Sequence, residues 1–220
     1  MKIGIIGAGF VGRAIAKLAI QAGHQVMLSN SRDPRTLFSL KPMIGCETGT
    51  AAEAARFGQV VVIAVPLTAL EQLPAAELQG KTVLDAVNYY PERDGEIEEL
   101  LTGRISSSER LARLLPNSRI TKAFNAIRMT DLETQGVPAG DAHRRAIPLA
   151  GDAHRRAIPL AGDDREGKAI AMALYEAFGF DAVDAGALAE GWRFERATPA
   201  YCVALNREQL ITTLKETPRP

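Results

Sequence analysis

The first 125 residues of the chain alternate between short apolar runs and segments in which apolar residues recur at helical spacing. This alternation is typical of a doubly wound parallel sheet, whose strands are covered by helices on both faces and are therefore apolar throughout. We predict an α/β fold. Its strands are KIGIIG (2–7), HQVMLSN (24–30), IGCET (44–48), QVVVIAVP (59–66), TVLDAVN (82–88) and RITKAFN (119–125).

Helices are predicted between these strands from apolar spacing and capping residues. VGRAIAKLAIQAG (11–23) has an apolar stripe and a terminal glycine. The pairs Thr50 with Glu53 and Ser106 with Glu109 have capping-box spacing, and they predict helices that end near Gly58 and Leu115. A short helix is expected from Leu67 to Leu73, before Pro74. The polar segment 89–104 is predicted to be a long loop over the carboxyl edge of the sheet, where ligands bind in such folds.

The pattern changes after Met129, and GDAHRRAIPLA occurs there twice without change, at 140–150 and 151–161. We interpret this as a tandem duplication, natural or introduced, in which the second copy supplies a strand and the first is an inserted loop. Asp163 and Glu166 then predict the start of a helix that ends at Gly179. A strand (180–186), a turn and a helix around 203–214 follow. Residues 1–180 are predicted to form the nucleotide-binding domain and 181–220 a small carboxyl-terminal lobe.

Composition and charge narrow the class of partner. The formal net charge is +0, so no basic surplus favours nucleic acid or an anionic membrane, and a small molecule is the expected partner. No apolar segment approaches membrane-spanning length, and the start MKIGIIG does not resemble a signal peptide. Cys46 and Cys202 show no metal-binding or disulfide spacing. We therefore predict a cytoplasmic protein without a metal site.

The segment GAGFVG (7–12) has the glycine spacing of a dinucleotide-binding loop, and it lies between a predicted strand and a predicted helix. Gly7 suits the tight turn, Gly9 lets the backbone approach a pyrophosphate, and Gly12 permits close packing of helix on strand. The helix then presents its amino terminus, including Phe10 and Val11, to the anion. The sequence thus predicts a Rossmann-type domain.

The second strand ends in Asn30, Ser31 and Arg32, where a fold specific for NAD has an acidic residue. Without a carboxylate to repel it, a 2′-phosphate can contact the Ser31 hydroxyl and the Arg32 guanidinium. Arg35 is a second candidate cation. This turn predicts NADP(H) as the cofactor. The competing interpretation is a solvated surface turn in which Asp33 pairs with one of the arginines.

Several segments together resemble one family: MKIGIIGAGFVGRAIAKLA, LSNSRDP, VVIAVP, LDAVNYYP, LPNSRITKAFNAI and PLAGDD with AFGFDAVDAG. They are similar to the NADP oxidoreductase, coenzyme F420-dependent family, which includes the NADPH:F420 oxidoreductases and the reductase domain of the STEAP metalloreductases. The resemblance implies a Rossmann domain with a small lobe, a homodimer, and hydride transfer between NADP(H) and a second ring cofactor such as coenzyme F420.

The resemblance also assigns residues beside the nicotinamide. The backbone of Ala64, Val65 and Pro66 is expected to pass the nicotinamide ribose. Asn88 and Asn125, each at the end of a predicted strand, are expected to hold the carboxamide or ribose, with turn-forming asparagines as the alternative. Candidates for the acceptor pocket are Ile127, Met129, Trp192 and Phe194.

No catalytic residue is predicted, since the chain lacks a Tyr-x-x-x-Lys pair and its three histidines are poorly placed. Hydride transfer between two rings requires positioning and exclusion of water rather than acid or base groups. Lys122 is expected to be an edge cation. The alternatives are a flavin or ferric-chelate reductase, an imine reductase, and a non-catalytic NADPH sensor.

Overall fold

A computed structural model describes residues 1–137 and 155–219, which form one eight-stranded sheet covered by helices. The strands are β1 (Lys2–Ile6), β2 (Gln25–Ser29), β3 (Glu47–Gly49), β4 (Val60–Ile63), β5 (Thr82–Asp85), β6 (Arg119–Lys122), β7 (Ala157–Gly162) and β8 (Asp181–Asp184). Their order is β3-β2-β1-β4-β5-β6-β7-β8. All neighbouring strands are parallel except β6 and β7. The predicted α/β doubly wound sheet is confirmed.

The α-helices of the described residues cover both faces of this sheet. They are α1 (Phe10–Gln21), α2 (Leu40–Ile44), α3 (Ala51–Phe57), α4 (Ala75–Leu78), α5 (Pro91–Asp94), α6 (Glu98–Leu101), α7 (Ser107–Leu114), α8 (Met129–Thr134), α9 (Arg165–Phe178) and α10 (Arg207–Glu216). Three 3₁₀ segments lie at Pro34–Leu37, Leu67–Gln72 and Leu188–Phe194. No helix of the described ranges combines the length and apolar character that crossing a membrane requires.

Two apolar layers and a smaller cluster form the core. Helices α1 and α9 pack on one face of the sheet, and α3 and α7 pack on the other. The smaller cluster lies between β7, β8 and α10, where Leu210 and Leu214 of α10 are buried. Because these leucines pack against residues of the same chain, the apolar stripe of α10 is part of the core.

The capping residues read from the sequence begin α3 and α7 as predicted. Thr50 accepts a hydrogen bond from the backbone N–H of Glu53, whose carboxylate accepts one from Thr50 N–H. Ser106 and Glu109 make the same reciprocal pair at α7. These bonds satisfy backbone N–H groups that a helix start otherwise leaves unpaired.

Three local predictions were wrong. Segment 89–104 is not a continuous loop, because it contains the one-turn helices α5 and α6. Strand β3 begins at Glu47 rather than at residue 44, because the preceding residues form α2, which Gly45 ends at a φ of 82°. Asp164, not Asp163, caps α9, whereas the Asp163 carboxylate accepts from Leu188 N–H at 3.1 Å.

The duplicated segment is only partly described. Strand β7 comes from the second copy, as predicted, and Pro159 lies within it. The first copy, predicted to be a loop, lies outside the described residues. The division into two domains near residue 180 stays a prediction, and β8 continues the sheet as the parallel neighbour of β7.

Candidate functional site

The loop after β1 is built on three glycines with different surroundings. Gly7 has a φ of +117°, and a Cβ there would lie 2.2 Å from the carbonyl oxygen of Ala64. A Cβ on Gly12 would lie 1.9 Å from the carbonyl oxygen of Gly7. At Gly9, by contrast, no heavy atom lies within 4 Å of the Cβ position. The first two glycines hold strand, loop and helix together, and the third leaves open space at the amino end of α1.

A cavity of about 380 Å³ lies beside this loop at the carboxyl edge of the sheet. The predicted site residues that line it are Gly7, Asn30, Ser31, Arg32 and Val65. Strands β2 and β4 are the two neighbours of β1, so the chain crosses over in opposite directions on either side of it. Open α/β sheets bind ligands in the crevice at such a reversal of strand order. The cavity therefore lies where a dinucleotide fits this fold.

Residues that the sequence did not assign to the site also line this cavity: Thr50, Ala51 and Ala52 at the start of α3, Gln72 at the end of the second 3₁₀ segment, and Leu73 and Pro74 after it. The capping box had marked Thr50 as a helix start, and its position after β3 indicated the same sheet edge. No pattern in the sequence indicated Leu73 or Pro74, which reach the cavity through the tertiary packing.

The turn after β2 separates its two arginines into different roles. Within the described residues, the Arg32 guanidinium makes no hydrogen bond or ion pair and is exposed. Arg35 instead pairs with Asp33 through an Nη2–Oδ2 contact of 2.6 Å, and this hydrogen bond lowers the pKa of Asp33. The Asn30 amide oxygen accepts from Arg32 N–H, and its Nδ2 donates to Thr36. Arg32 is thus the available cation of this turn.

Asn88 and Asn125 lie together, as expected from neighbouring strand ends. Asn88 Nδ2 donates to the Asn125 carbonyl at 3.0 Å, and Asn125 Nδ2 donates to Asn88 Oδ1 at 3.2 Å. Asn125 also donates to the Phe194 carbonyl, and only 3% of the residue is exposed. Its own amide oxygen is buried and has no hydrogen-bond partner among the described residues. Asn88 is half-buried, so it is the more accessible of the two amides to a ligand.

The remaining predicted cofactor residues occupy three environments. Phe10 is 74% exposed at the start of α1, whereas Val11 packs against the core. Ala64 N–H donates to the Ile6 carbonyl, which joins the turns after β1 and β4. Pro66 precedes the second 3₁₀ segment. The assignment of all these residues to a cofactor stays a prediction.

A buried polar network lies beyond the ends of β5 and β6, and the sequence did not predict it. Lys122 is fully buried, so its interpretation as an edge cation was wrong. Its Nζ donates to Ser107 Oγ at 2.8 Å and Ser108 Oγ at 3.1 Å, and lies 2.9 Å from Glu195 Oε1. Ser108 in turn donates to Asp85. Asp85, an acidic residue at the end of an otherwise apolar strand, was the sequence feature that could have indicated a buried polar partner.

The pKa values of the two carboxylates in this network, Asp85 and Glu195, are shifted in opposite directions. Burial raises the pKa of Asp85, and the charge of Lys122 and the Ser108 hydrogen bond only partly oppose it. Burial also acts to raise the pKa of Glu195, but the charge of Lys122 and the hydrogen bonds from Ser107 outweigh it and lower the pKa. Glu195 is therefore the carboxylate that stays ionised beside Lys122.

A second cavity, of about 310 Å³, is bordered by Glu195. Its other lining residues are Tyr89, Pro91, Leu100, Leu101, Gly103, Ile105, Trp192, Arg196, Ala197 and Thr198. Of the acceptor-pocket candidates, only Trp192 lines it. Ile127 and Phe194 are buried in the core, and Met129 packs against it.

The predicted family resemblance is confirmed by comparison with known proteins. Residues 2–89 match the family described as NADP oxidoreductase, coenzyme F420-dependent. The metalloreductase STEAP3 of Rattus norvegicus is 30% identical over 196 residues, which are 88% of this chain and 36% of that protein. The chain thus spans about a third of the length of this curated relative.

Two solved structures share the fold over most of the chain. A hypothetical protein of Sinorhizobium meliloti is 25% identical with a TM-score of 0.78, covering 94% of this chain and 96% of its own. A protein of Arthrobacter sp. FB24, provisionally named an F420-dependent NADP reductase, is 24% identical with a TM-score of 0.67, covering 86% of each chain. These two structures confirm the fold, and the family that residues 2–89 match is one of NADP-dependent oxidoreductases.

Proposed function

We propose that this chain, whose residues 2–89 match the family of coenzyme F420-dependent NADP oxidoreductases, transfers hydride between NADPH and a second ring cofactor, with coenzyme F420 as the acceptor. One observation carries the proposal. The cavity beside β1 joins the glycine loop, the turn after β2 and the turn after β4 at the edge where such folds bind dinucleotides.

NADPH fits the residues that surround this cavity. Open space at Gly9 leaves room for the pyrophosphate against the amino end of α1, where backbone N–H groups favour an anion. Ser31 and Arg32 lie at the same cavity without a carboxylate partner, and we assign them to the 2′-phosphate. Arg35 contributes less, because Asp33 already holds its guanidinium.

We assign the nicotinamide end of the cofactor to the neighbourhood of Val65 and Asn88. Asn88 is fixed by its bonds with Asn125, so it offers an oriented amide group. When bound, NADPH supplies a hydride; the acceptor ring gains that hydride and a proton from solvent, and NADP⁺ remains. The chain's own contribution is to orient the two rings and exclude water.

The test is NADPH oxidation followed by absorbance, with F420, FMN, a ferric chelate and no acceptor in parallel, and NADH as the control donor. Turnover with F420 and NADPH, and little with NADH, is the expected result. If NADPH binds but no acceptor takes its hydride, the chain is a nucleotide sensor and the proposed reaction is wrong.

A flavin or ferric-chelate reductase is the second candidate function. It is favoured by the 30% identity with a relative that is named a metalloreductase. In the same assay it predicts oxidation of NADPH with FMN or the ferric chelate and none with F420.

We further propose a cytoplasmic homodimer, on the family resemblance alone. The apolar stripe of α10 gives dimerisation no support, since Leu210 and Leu214 are buried within the chain. Light scattering of the purified protein measures the mass of the assembly, and a monomer mass at assay concentration would contradict the proposed homodimer.

A further inference from the structure

We propose that the cavity bordered by Glu195 binds the acceptor as a flat heteroaromatic ring, and that Glu195 accepts a hydrogen bond from a ring N–H. The inference rests on the proposed function and names the pocket and the recognition group that the hydride acceptor uses.

Glu195 is held rigidly with one oxygen available. Its Oε1 accepts from Ser107 N–H at 2.8 Å and from Ser107 Oγ at 2.6 Å, and it pairs with Lys122 at 2.9 Å. Within residues 1–137 and 155–219, Oε2 has no hydrogen-bond partner, and the side chain is 20% exposed. An ionised carboxylate oxygen that is fixed at a cavity wall is a strong acceptor for a ligand donor.

The cavity adjoins the end of the site assigned to the nicotinamide. Tyr89, on its wall, directly follows Asn88. Glu195 directly follows Phe194, whose carbonyl accepts from Asn125. Lys122 Nζ lies 3.5 Å from the Val87 carbonyl, which ties the network to the turn after β5. The wall of this cavity is therefore built from direct chain neighbours of Asn88 and of the Asn125 partner Phe194, which places the acceptor pocket on the nicotinamide side of the first site.

The wall chemistry fits a flat ring rather than a charged tail. Leu100, Leu101, Ile105 and Trp192 give it apolar and aromatic surface. Its volume of about 310 Å³ is at the small end of ligand pockets and admits a ring system. The negative charge of Glu195 disfavours phosphate and carboxylate groups and favours an N–H donor, so the acidic substituents of an acceptor must lie outside.

The experiment compares riboflavin, which carries a ring N–H at position 3, with 3-methylriboflavin, which lacks it. Trp192 is the sole tryptophan of the sequence and lines the cavity, so its fluorescence reports occupancy, with calorimetry as the independent measurement. We expect the methyl group to weaken binding about 10- to 100-fold, the range for a hydrogen bond to a charged group. Equal binding of the two probes would overturn the assignment.

Glu195→Gln should weaken riboflavin binding by a similar factor and leave 3-methylriboflavin almost unaffected, because the two changes remove the same bond. Glu190→Gln is the matched control. That carboxylate lies in the 3₁₀ segment that ends directly before Glu195, but it pairs with Arg193 and does not line this cavity. Additive effects of methylation and Glu195→Gln would contradict a shared hydrogen bond.

A second variant keeps the inference testable if Glu195→Gln destabilises the fold. Leu101 lines the cavity and is 47% exposed, so Leu101→Trp can fill the cavity without replacing a residue of the buried network. Calorimetry should then show loss of riboflavin binding and unchanged NADPH binding. Riboflavin binding that persists in Leu101→Trp would mean that the ring binds elsewhere. Failure of the unmodified protein to bind NADPH would instead contradict the proposed function itself.

Discussion

At the scale of single residues, the turn after β2 shows how similar side chains acquire different roles. Arg32 and Arg35 are three positions apart, yet Asp33 pairs with Arg35, and the Arg32 guanidinium has no partner in the part of the chain that the structure describes. A guanidinium without a carboxylate partner is free to bind phosphate oxygens in a bidentate manner.

Arg32→Ala should therefore raise the KM for NADPH about 10- to 100-fold, the range for charge-assisted hydrogen bonds, and barely change the KM for NADH. The matched control, Arg35→Ala, should have a smaller effect on NADPH. Steady-state kinetics with both nucleotides measures this, and a parallel loss for NADPH and NADH would remove the 2′-phosphate assignment.

The buried carboxylate of Asp85 makes a prediction about pH. Its folded-state pKa is raised by burial, so the folded protein binds its proton more tightly than the unfolded chain does. Stability from this group is present below its ordinary pKa of 3.8 and is lost as pH rises through the folded value. Asp85→Asn removes this loss, so its melting temperature relative to the unmodified protein should rise with pH.

Asp131→Asn is a control of opposite sign. The pKa of Asp131 is lowered by its hydrogen bond from Arg156, so its stabilisation is present above 3.8 and disappears as pH falls. This variant should lose melting temperature relative to the unmodified protein as pH rises. Thermal unfolding between about pH 2 and 8 covers both ranges, because the Asp131→Asn difference changes mainly below pH 3.8 and the Asp85→Asn difference above it, and parallel curves for both variants would contradict the assignments.

At the scale of elements, caps and glycines determine where helices begin and how closely they pack. The capping box at Ser106 begins α7, and α7 supplies the two serines that bind Lys122. A short helix therefore connects a local sequence signal to the buried network.

Ser106→Ala should lower the free energy of unfolding by about 1 kcal/mol, because loss of the Ser106 hydroxyl leaves a backbone N–H of the first helical turn without its partner. Ser39 provides the control, since it occupies the same position at α2 but makes no side-chain capping bond. Urea unfolding should show almost no change in the free energy of unfolding for Ser39→Ala. Equal decreases in both variants would mean that the Ser106 capping bond does not stabilise the protein specifically.

Two substitutions in the glycine loop should have different effects, one on folding stability and the other on NADPH binding. Gly12→Ala places a Cβ against the Gly7 carbonyl, so it should lower the free energy of unfolding by roughly 1 to 3 kcal/mol. Gly9→Ala meets no protein atom and should keep the melting temperature while it weakens NADPH binding. Calorimetric binding together with thermal unfolding tests the pair; intact NADPH binding in Gly9→Ala would mean that the pyrophosphate does not approach this loop.

At the scale of the whole molecule, the duplicated segment is the unusual feature. Strand β7 comes from the second copy, and removing residues 140–150 leaves one complete copy joined to the same flanking sequence. The shortened chain should therefore retain its melting temperature to within a few degrees and its NADPH affinity. Thermal unfolding and calorimetry measure both, and a large loss of either would mean that the first copy has a role of its own.

The sequence alone determined the features that depend on local patterns. Apolar runs gave the strands of the parallel sheet, the glycine spacing gave the nucleotide loop, and capping pairs gave the starts of α3 and α7. These signals are readable because each arises from residues close together in the chain.

The tertiary structure decided what depends on contacts between distant residues. The burial of Lys122 between Asp85 and Glu195 and the contribution of Leu73 and Pro74 to the first cavity have no local signature. Lys122 and Glu195 are far apart in sequence and meet only because β6 and the segment after Trp192 converge at one sheet edge. A charged residue looks the same in a sequence whether it faces water or a buried partner, and only packing distinguishes the two.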